Sequence, residues 1–216
     1  MKLEQRTITN NLEVRQQDGK KGVIAGYGIV YGQRTQIYSD LYEIILPGAA
    51  SEFLASEPDI RCCFNHDRNY ILGRTKSGTL SVREDPNGVF YEVQVPDTQW
   101  ARDLSANMER GDIDGSSFTF GVNPDGETVT KQADGTYLRE IRKLAIVAEL
   151  GPVTMPAYPT TTANVRSAQE TYDSFTESLR TQDESDKIAA KRQTHELRNK
   201  FIFVDHIIRS ERIETN

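Results

Sequence analysis

Three short segments carry the side-chain types that a hydrolytic triad needs. His66 lies where an apolar run meets a polar stretch, Ser117 follows small residues at the start of a strand-like segment, and Glu149 interrupts a strongly apolar one. A histidine can exchange a proton near neutral pH, and a serine hydroxyl becomes a nucleophile when such a base removes its proton. A carboxylate can orient the imidazole and stabilise its charged form. The three residue types together therefore fit acyl transfer.

Each residue also has a simpler interpretation. His66 could be a loop histidine bonded to Asp67, the serines could belong to a turn before a strand, and Glu149 could face solvent at an edge or turn. The local sequence leaves these alternatives open. Ser116 and Ser117 would point to opposite faces if both are extended, so at most one of them serves. If the triad is real, we expect Ser117 to lie in an exposed cleft.

Other chemistries find less support. The glycines within residues 26–32 miss the dinucleotide-binding spacing, and no phosphate-loop Gly-Lys-Ser/Thr is present. Cys62 and Cys63 are adjacent strand residues that face opposite ways, and together with His66 they still leave tetrahedral zinc short of ligands. We therefore expect neither a metal nor a cofactor. The two neighbouring cysteines also cannot staple a fold, which fits a reducing compartment.

Composition limits the class of protein. With 216 residues, 37% of them hydrophobic and 27% charged, the chain can form one domain with an appendage and bury a substantial core. Its net charge of −6 argues against a general nucleic-acid-binding surface. No run approaches the roughly 18 apolar residues that a membrane span needs, which excludes an integral membrane protein. The polar N-terminus lacks the apolar stretch of a signal peptide, so we expect an intracellular protein.

A change in composition divides the chain near residue 166. All 15 glycines lie at or before Gly151 and all eight prolines at or before Pro159. Before the division, β-branched and aromatic segments alternate with turn signals, which predicts mostly strands. The predicted strands are Gly22–Tyr31, Tyr42–Leu46, Ile60–Asn65, Thr79–Arg83, Val89–Val95, Ser117–Val122 and Thr136–Val147. After the division, the polar sequence suits helix or disorder.

Two helices are predicted among the strands. The clearer one has Thr98 as its cap, apolar residues at Trp100, Leu104 and Met108, and Gly111 as its stop. Its apolar stripe should pack on the sheet. A second, shorter helix is predicted from Ala49 to Ser56.

Taken together, the three segments resemble the HK97-type prohead protease family of tailed bacteriophages, which shares a fold with the herpesvirus assemblins. The matching motifs occur in family order and cover most of residues 1–166. They are Phe64-Asn65-His66-Asp67 with Leu72-Gly73-Arg74-Thr75, then Gly115-Ser116-Ser117-Phe118-Thr119-Phe120, then Glu149-Leu150-Gly151-Pro152-Val153-Thr154-Met155-Pro156-Ala157-Tyr158-Pro159.

The resemblance implies a role for each candidate residue. His66 would be the general base, Ser117 the nucleophile and Glu149 the orienting carboxylate. The sequence departs from the family at Leu150-Gly151, where Val-Ser is more usual. By analogy with assemblins, backbone amides near Arg139–Arg142 would stabilise the oxyanion.

The resemblance also implies a fold and a setting. The fold would be mainly β (α+β), a herpesvirus-protease-like β-barrel flanked by helices, with a prohead protease domain at 1–166 and a helical or disordered tail at 167–216. The substrates would be phage capsid-assembly proteins, including the scaffolding segment of the major capsid protein, cut inside the assembling prohead in the host bacterial cytoplasm. Self-cleavage is also implied, and neither nucleic acid nor a membrane is an expected partner.

The tail has its own two interpretations. Its apolar run Phe201-Ile202-Phe203-Val204 with Ile207-Ile208 is consistent with an amphipathic helix that binds an assembly partner. Alternatively, the tail is a solvated helical extension that packs only on itself.

Two other functions compete with a serine endopeptidase. A non-catalytic assembly module could keep the fold and the tail to organise the capsid interior, but it would not need all three triad residues. A generic esterase is disfavoured because Thr119 occupies the final position of the Gly-x-Ser-x-Gly pattern.

Overall fold

A computed structural model describes residues 3–9, 12–17, 20–155, 172–177, 180–181, 184–185, 187–189 and 191–193. The chain divides into two compact units, residues 1–169 and 170–216. The described residues of the second unit are helical, and the apolar run at 201–208 lies outside the described residues. The division of function between a protease domain at 1–166 and a tail at 167–216 stays a prediction.

The first unit is mainly β, as predicted. Its strands are β1 (Glu4–Thr9), β2 (Glu13–Gln17), β3 (Lys20–Val30), β4 (Thr35–Gln36), β5 (Leu41–Ile45), β6 (Arg61–Cys63), β7 (Ile71–Arg74), β8 (Leu80–Asp85), β9 (Gly88–Gln94), β10 (Gly115–Val122), β11 (Glu127–Lys131), β12 (Tyr137–Ile141) and β13 (Leu144–Val153). Its helices are α1 (Ser51–Ala55) and α2 (Gln99–Glu109), and short 3-10 turns span Phe64–His66 and Thr75–Ser77.

The strands form three sheets. A five-stranded sheet has the order β1-β10-β13-β6-β7, and two four-stranded sheets have the orders β11-β12-β5-β4 and β2-β3-β9-β8. Most neighbours are antiparallel, but β6 runs parallel to β13 and β5 runs parallel to β12. Within the residues that the structure describes, all three sheets are open. The closed barrel implied by the resemblance is therefore not confirmed.

One predicted strand, Thr136–Val147, is two strands in the structure. β12 ends at Ile141 and β13 begins at Leu144, because the chain turns there from one sheet into another. The amides of Arg142 and Lys143 both donate to the carbonyl oxygen of Gly126, at 2.7 and 3.1 Å, instead of extending a ladder. Another predicted strand, Ile60–Asn65, is shorter than expected, since its last two residues lie in the 3-10 turn.

The two predicted helices are present. Thr98 lies at the N-terminus of α2 but its side chain makes no capping hydrogen bond, and the chain leaves the helix at Gly111, whose φ is +81°. α2 buries Leu104 and Met108, whereas Trp100 remains half-buried. The helix lies beside β2, so its apolar stripe covers part of the sheet as expected.

Apolar side chains from all three sheets share one core. Ile24 and Tyr91 come from the β2-β3-β9-β8 sheet, Phe118 and Leu150 from the five-stranded sheet, and Ile141 from the β11-β12-β5-β4 sheet. Each of these side chains is at most 1% exposed. Burial of side chains of this size contributes about 2 kcal/mol each. The core therefore fixes the sheets against one another and holds β10 and β13 rigidly.

A largely buried cluster of charged residues ties β1 to the β11-β12-β5-β4 sheet. Arg139 donates to both carboxylate oxygens of Glu4 at 2.7 Å, to Glu43 at 2.7 Å and to Glu127 at 2.6 Å. Arg6 donates to Glu4 and Glu43, each at 2.8 Å. We call these five residues the Arg139 cluster. Since a buried charge is costly without a partner, the cluster keeps β1 in place beside β10.

The Arg139 cluster predicts how stability depends on acid. Burial alone would raise the pKa of Glu4, but its bonds to Arg139 and the charges of Arg139 and Arg6 lower this pKa to about 2. A carboxylate with a lowered pKa contributes stability above its unfolded pKa, and this contribution is lost as pH falls through the folded pKa. Glu4→Gln should therefore remove on the order of 3 kcal/mol at neutral pH and flatten the fall in stability between about pH 4.5 and 2.

The measurement is the melting temperature across pH for the wild type, Glu4→Gln and Glu13→Gln. Glu13 pairs with Arg15 on the surface, where its side chain is 59% exposed, so its variant should keep the wild-type profile. A Glu4→Gln profile parallel to that of the wild type would show that the cluster does not stabilise the fold in this way.

Candidate active site

The three predicted triad residues lie on neighbouring elements of the five-stranded sheet. Ser117 is on β10, Glu149 is on the adjacent β13, and His66 ends the 3-10 turn that follows β6, the next strand along. In the antiparallel register, Ser117 lies opposite Gly151 and Thr119 lies opposite Glu149. Because side chains two residues apart share a face, Ser117 and Glu149 emerge on the same face of the sheet.

The side chains of the triad are in contact. The Nε2 atom of His66 lies 2.7 Å from the hydroxyl oxygen of Ser117, and its Nδ1 atom makes a hydrogen bond with Oε1 of Glu149. The structure thus brings together the base, the hydroxyl and the carboxylate that the sequence singles out, in a continuous chain of hydrogen bonds. Asp67 instead accepts bonds from Asn69, so the alternative pairing with His66 is not found.

The two neighbouring serines face opposite sides of β10, as predicted. Ser116 lies 3.3 Å from the hydroxyl of Tyr91 and donates to the carbonyl oxygen of Gly151 at 3.3 Å. Ser117 faces His66. Of the two hydroxyls, only that of Ser117 contacts a group that can accept its proton for chemistry.

Ser117 does not lie in an exposed cleft, contrary to expectation. It is fully buried, while the side chains of His66 and Glu149 remain 22% and 18% exposed. The carbonyl oxygen of Arg6 lies 2.9 Å from the Ser117 hydroxyl oxygen, and the Thr7 hydroxyl donates to the same Ser117 oxygen at 3.1 Å. These groups belong to β1, whose pairing with β10 sets Thr7 opposite Ser117. The single Ser117 proton thus has two acceptors in reach, His66 and the Arg6 carbonyl.

Glu149 is a half-buried carboxylate with three donors. Besides His66, it accepts a hydrogen bond from the hydroxyl of Thr119 at 2.9 Å and one from the thiol of Cys63. Burial would raise the pKa of Glu149, but these hydrogen bonds and the charge of His66 lower it below its usual value. Glu149 is therefore held ionised, in the state that can stabilise an imidazolium.

Neither cysteine is a candidate nucleophile. Burial and the nearby Glu149 raise the pKa of the Cys63 thiol to about 11, and burial with the neighbouring thiol raises that of Cys62 well above its usual value. A thiol reacts as its thiolate, so both groups are inert at neutral pH. Across the described residues, no group of three or more histidine, cysteine, aspartate or glutamate side chains is arranged to hold a metal ion.

The turn that carries His66 has an unusual backbone. Asn65 and His66 have positive φ angles of 53° and 59°, a region that residues other than glycine adopt at a cost of about 1–3 kcal/mol each. The side chain of Asn65 makes two bonds to Thr154, which follows directly after β13. Its Nδ2 donates to the Thr154 hydroxyl at 2.6 Å and its Oδ1 accepts from the Thr154 amide at 2.8 Å.

Gly151 stands where the family that the sequence resembles more often has serine, and the structure gives a local physical reason for the glycine. A Cβ atom at Gly151 would come within 2.2 Å of the carbonyl oxygen of Cys63, closer than real contacts allow. The absent side chain thus permits β13 to approach the end of β6, from which the chain enters the His66 turn.

The amides suggested as oxyanion donors are engaged elsewhere. Arg139 lies inside β12, which is paired on both sides, and the Arg142 amide donates to Gly126. The side chain of Arg139 belongs to the cluster that holds β1. These residues serve the fold in this structure, and their role as oxyanion donors stays a prediction.

Sequence reasoning missed the groups that surround the triad. Thr119 could have been found, because it lies two residues after Ser117 in the same strand and so shares its face. The contacts of Arg6 and Thr7 could not, because they depend on pairing two strands more than 100 residues apart.

Among the described residues, no helix has the length and apolar character needed to cross a membrane.

The chain is similar to known phage proteases. A family model described as "Caudovirus prohead serine protease" matches residues 10–176. The prohead protease of Enterobacteria phage HK97 is 32% identical over 142 residues, which are 65% of this chain and 58% of that protein. The chain thus matches less than two thirds of that relative's length. A solved structure, the capsid assembly protease of bacteriophage T4, aligns over 70% of this chain and 96% of its own with 12% identity and a TM-score of 0.42.

The bond from Thr119 to Glu149 predicts a change in titration. Thr119→Val keeps the shape of the side chain but removes the donor, so the pKa of Glu149 should rise, because one of the bonds that lower it is lost. Thr119→Ser keeps the hydroxyl and should leave this pKa near that of the wild type. Carbon NMR of chains labelled at the glutamate carboxyl carbon, titrated with acid, measures it. An unchanged pKa in Thr119→Val would mean that Thr119 does not support the carboxylate.

Proposed function

Because the chain belongs to the caudovirus prohead serine protease family, we propose that it is a serine endopeptidase that cleaves the scaffolding segments of phage capsid proteins during prohead maturation. The observation that carries the proposal is the unbroken contact from Glu149 through His66 to Ser117. It is the arrangement that a hydroxyl nucleophile needs, with a base in reach and a third group that orients the base.

The reaction proceeds in two acyl transfers. Ser117 attacks the peptide carbonyl carbon as His66 Nε2 accepts the hydroxyl proton, and His66 then gives this proton to the departing amine. Water, deprotonated by the same nitrogen, attacks the acyl-enzyme, and as the bond from the acyl carbon to the Ser117 oxygen breaks, His66 gives the proton to that oxygen and the second product leaves. Glu149 keeps the Nδ1 proton of His66 on its own side and stabilises the imidazolium, so Nε2 is free to act as the base. The mechanism needs no metal or cofactor.

The substrate has to reach a nucleophile that is covered in this structure. The Ser117 oxygen is buried under the Arg6 carbonyl and the Thr7 hydroxyl of β1. A peptide carbonyl carbon must touch this oxygen before it can react, so these contacts must open before cleavage. A covered nucleophile suits a protease that acts only after its substrates have assembled around it.

The relatives' names support the choice of substrate. One relative is a phage prohead protease and the T4 structure is a capsid assembly protease, and both names refer to head assembly. We propose the major capsid protein and its scaffolding segment as the substrates of this chain, with self-cleavage as a second reaction. The place of action is the interior of the assembling prohead in the host bacterial cytoplasm.

A second function is favoured by one observation. The complete burial of Ser117 is what a non-catalytic assembly module of the same fold would tolerate. Such a module would organise the capsid interior without cutting anything.

One experiment distinguishes the two functions. The phage major capsid protein is co-expressed with the wild type, Ser117→Ala or Ser116→Ala, and mass spectrometry determines the N-terminus of the capsid protein. Ser117→Ala should abolish cleavage, a loss of at least about 10³-fold, because the nucleophile is gone. Ser116→Ala removes a hydroxyl of the same strand on the opposite face, so it should retain cleavage.

Each other outcome has a definite meaning. Full-length capsid protein with all three chains would contradict the protease and favour the assembly module. Shortening that persists with Ser117→Ala would contradict Ser117 as the nucleophile. The melting temperatures of the two variants are measured as the control for folding: a melting temperature near that of the wild type excludes unfolding as the cause of a loss of cleavage.

A further inference from the structure

Asn65 stands beside the proposed base but takes no part in the triad. It lies two residues after the end of β6, inside the turn Phe64–His66, and its backbone lies in the left-handed region with φ 53° and ψ 30°. His66 has a positive φ as well. The direction of the imidazole depends on these two residues, because each backbone angle rotates the Cα–Cβ bond that carries the ring.

The side chain of Asn65 uses both ends of its amide on one residue. The Nδ2 group donates to the Thr154 hydroxyl at 2.6 Å, and Oδ1 accepts from the Thr154 amide at 2.8 Å. Thr154 follows the last residue of β13, five residues after Glu149. The two bonds therefore join the residue before the base to the strand that carries the carboxylate.

The location of these bonds separates them from ordinary core packing. Asn65 and Thr154 are exposed, so removing their side chains creates no cavity and exposes no buried apolar surface. Two hydrogen bonds at the surface compete with water and add little to overall stability. Their consequence is local, since they resist rotation of a turn that has an uncommon backbone.

We propose that Asn65, through its two hydrogen bonds to Thr154, is a positioning residue that aims His66 at Ser117 and Glu149. The inference rests on the proposed function for its kinetic test, but its structural test needs no substrate. A competing explanation is that asparagine occurs here only because it tolerates a left-handed backbone better than other side chains. The two explanations predict different variants to be damaging.

Asn65→Gly discriminates between them. Glycine adopts the left-handed backbone freely but makes neither bond to Thr154. If the bonds position His66, kcat should fall about tenfold with KM unchanged, because a misdirected base slows the chemical step without altering substrate binding. If only the backbone conformation matters, Asn65→Gly should match the wild type.

Four further variants complete the test. Thr154→Val removes the hydroxyl acceptor and should lower kcat, as Asn65→Gly does. Thr154→Ser keeps the hydroxyl, so its kcat should be close to that of the wild type. Asn69→Gly is the matched control, an exposed asparagine of the same loop that bonds Asp67 instead. The double variant Asn65→Gly/Thr154→Val should be no worse than Asn65→Gly alone, since both changes remove the same contact.

Proton NMR of the His66 Nδ1–H resonance gives the readout that is independent of cleavage. In the wild type this proton is held by Glu149, so its signal should lie downfield and exchange slowly. It should weaken or broaden in Asn65→Gly and Thr154→Val, and remain in Thr154→Ser and Asn69→Gly. If no chain cleaves capsid protein, the proposed function fails and this signal alone decides the role of Asn65. An unaltered signal and unaltered kcat in Asn65→Gly would overturn the proposal.

Discussion

The position of β13 between β10 and β6 is the constraint on which the candidate site depends. β10 supplies Ser117, β13 supplies Glu149, and the chain leaving β6 supplies His66. The antiparallel register on one side and the parallel register on the other set the carboxylate between the other two groups. Gly151 makes this spacing feasible, because a side chain there would collide with the backbone of Cys63. A shift of one residue in the register between β10 and β13 would turn Glu149 to the face opposite that of Ser117.

The electrostatics of the site follow from that geometry. Glu149 is partly withdrawn from water, which alone would favour its neutral form, and three donors reverse this preference. The same burial that raises the pKa of Cys63 keeps its thiol protonated and able to donate. The carboxylate is thus charged and held by its donors in the structure, so in the proposed mechanism an imidazolium at His66 would gain a counter-charge without rearrangement of its surroundings.

Local sequence patterns predicted part of this structure well. The alternation in Ser117–Val122 indicated a strand and separated Ser116 from Ser117, and the spacing of Leu104 and Met108 indicated α2. These features depend on residues close together in the chain. The positive φ angles of Asn65 and His66 were missed, because an apolar run favours an extended backbone up to Asn65. The side chain of Asn65 in this turn bonds Thr154, 89 residues away, and no local pattern indicates that contact.

Long-range contacts account for the other differences. The covering of Ser117 by β1 depends on a strand pairing between the first residues and Gly115–Val122, and on the buried charges of the Arg139 cluster that hold β1 beside it. The sequence places Glu4, Arg6, Glu43, Glu127 and Arg139 on four separate segments, with no spacing that marks them as partners. Their charges would ordinarily suggest a solvated surface. In the folded chain these charges pair with one another and hold β1, the strand that covers Ser117.

The protonation state of His66 tests the central claim, that Glu149 holds the imidazole as a base directed at Ser117. Nitrogen–proton correlation NMR of chains labelled at histidine, recorded where His66 is neutral and assigned by the loss of signals in His66→Gln, identifies the tautomer. The predicted result is a single tautomer with the proton on Nδ1 and none on Nε2. A proton on Nε2, or a mixture of both tautomers that is unchanged by Glu149→Gln, would contradict it.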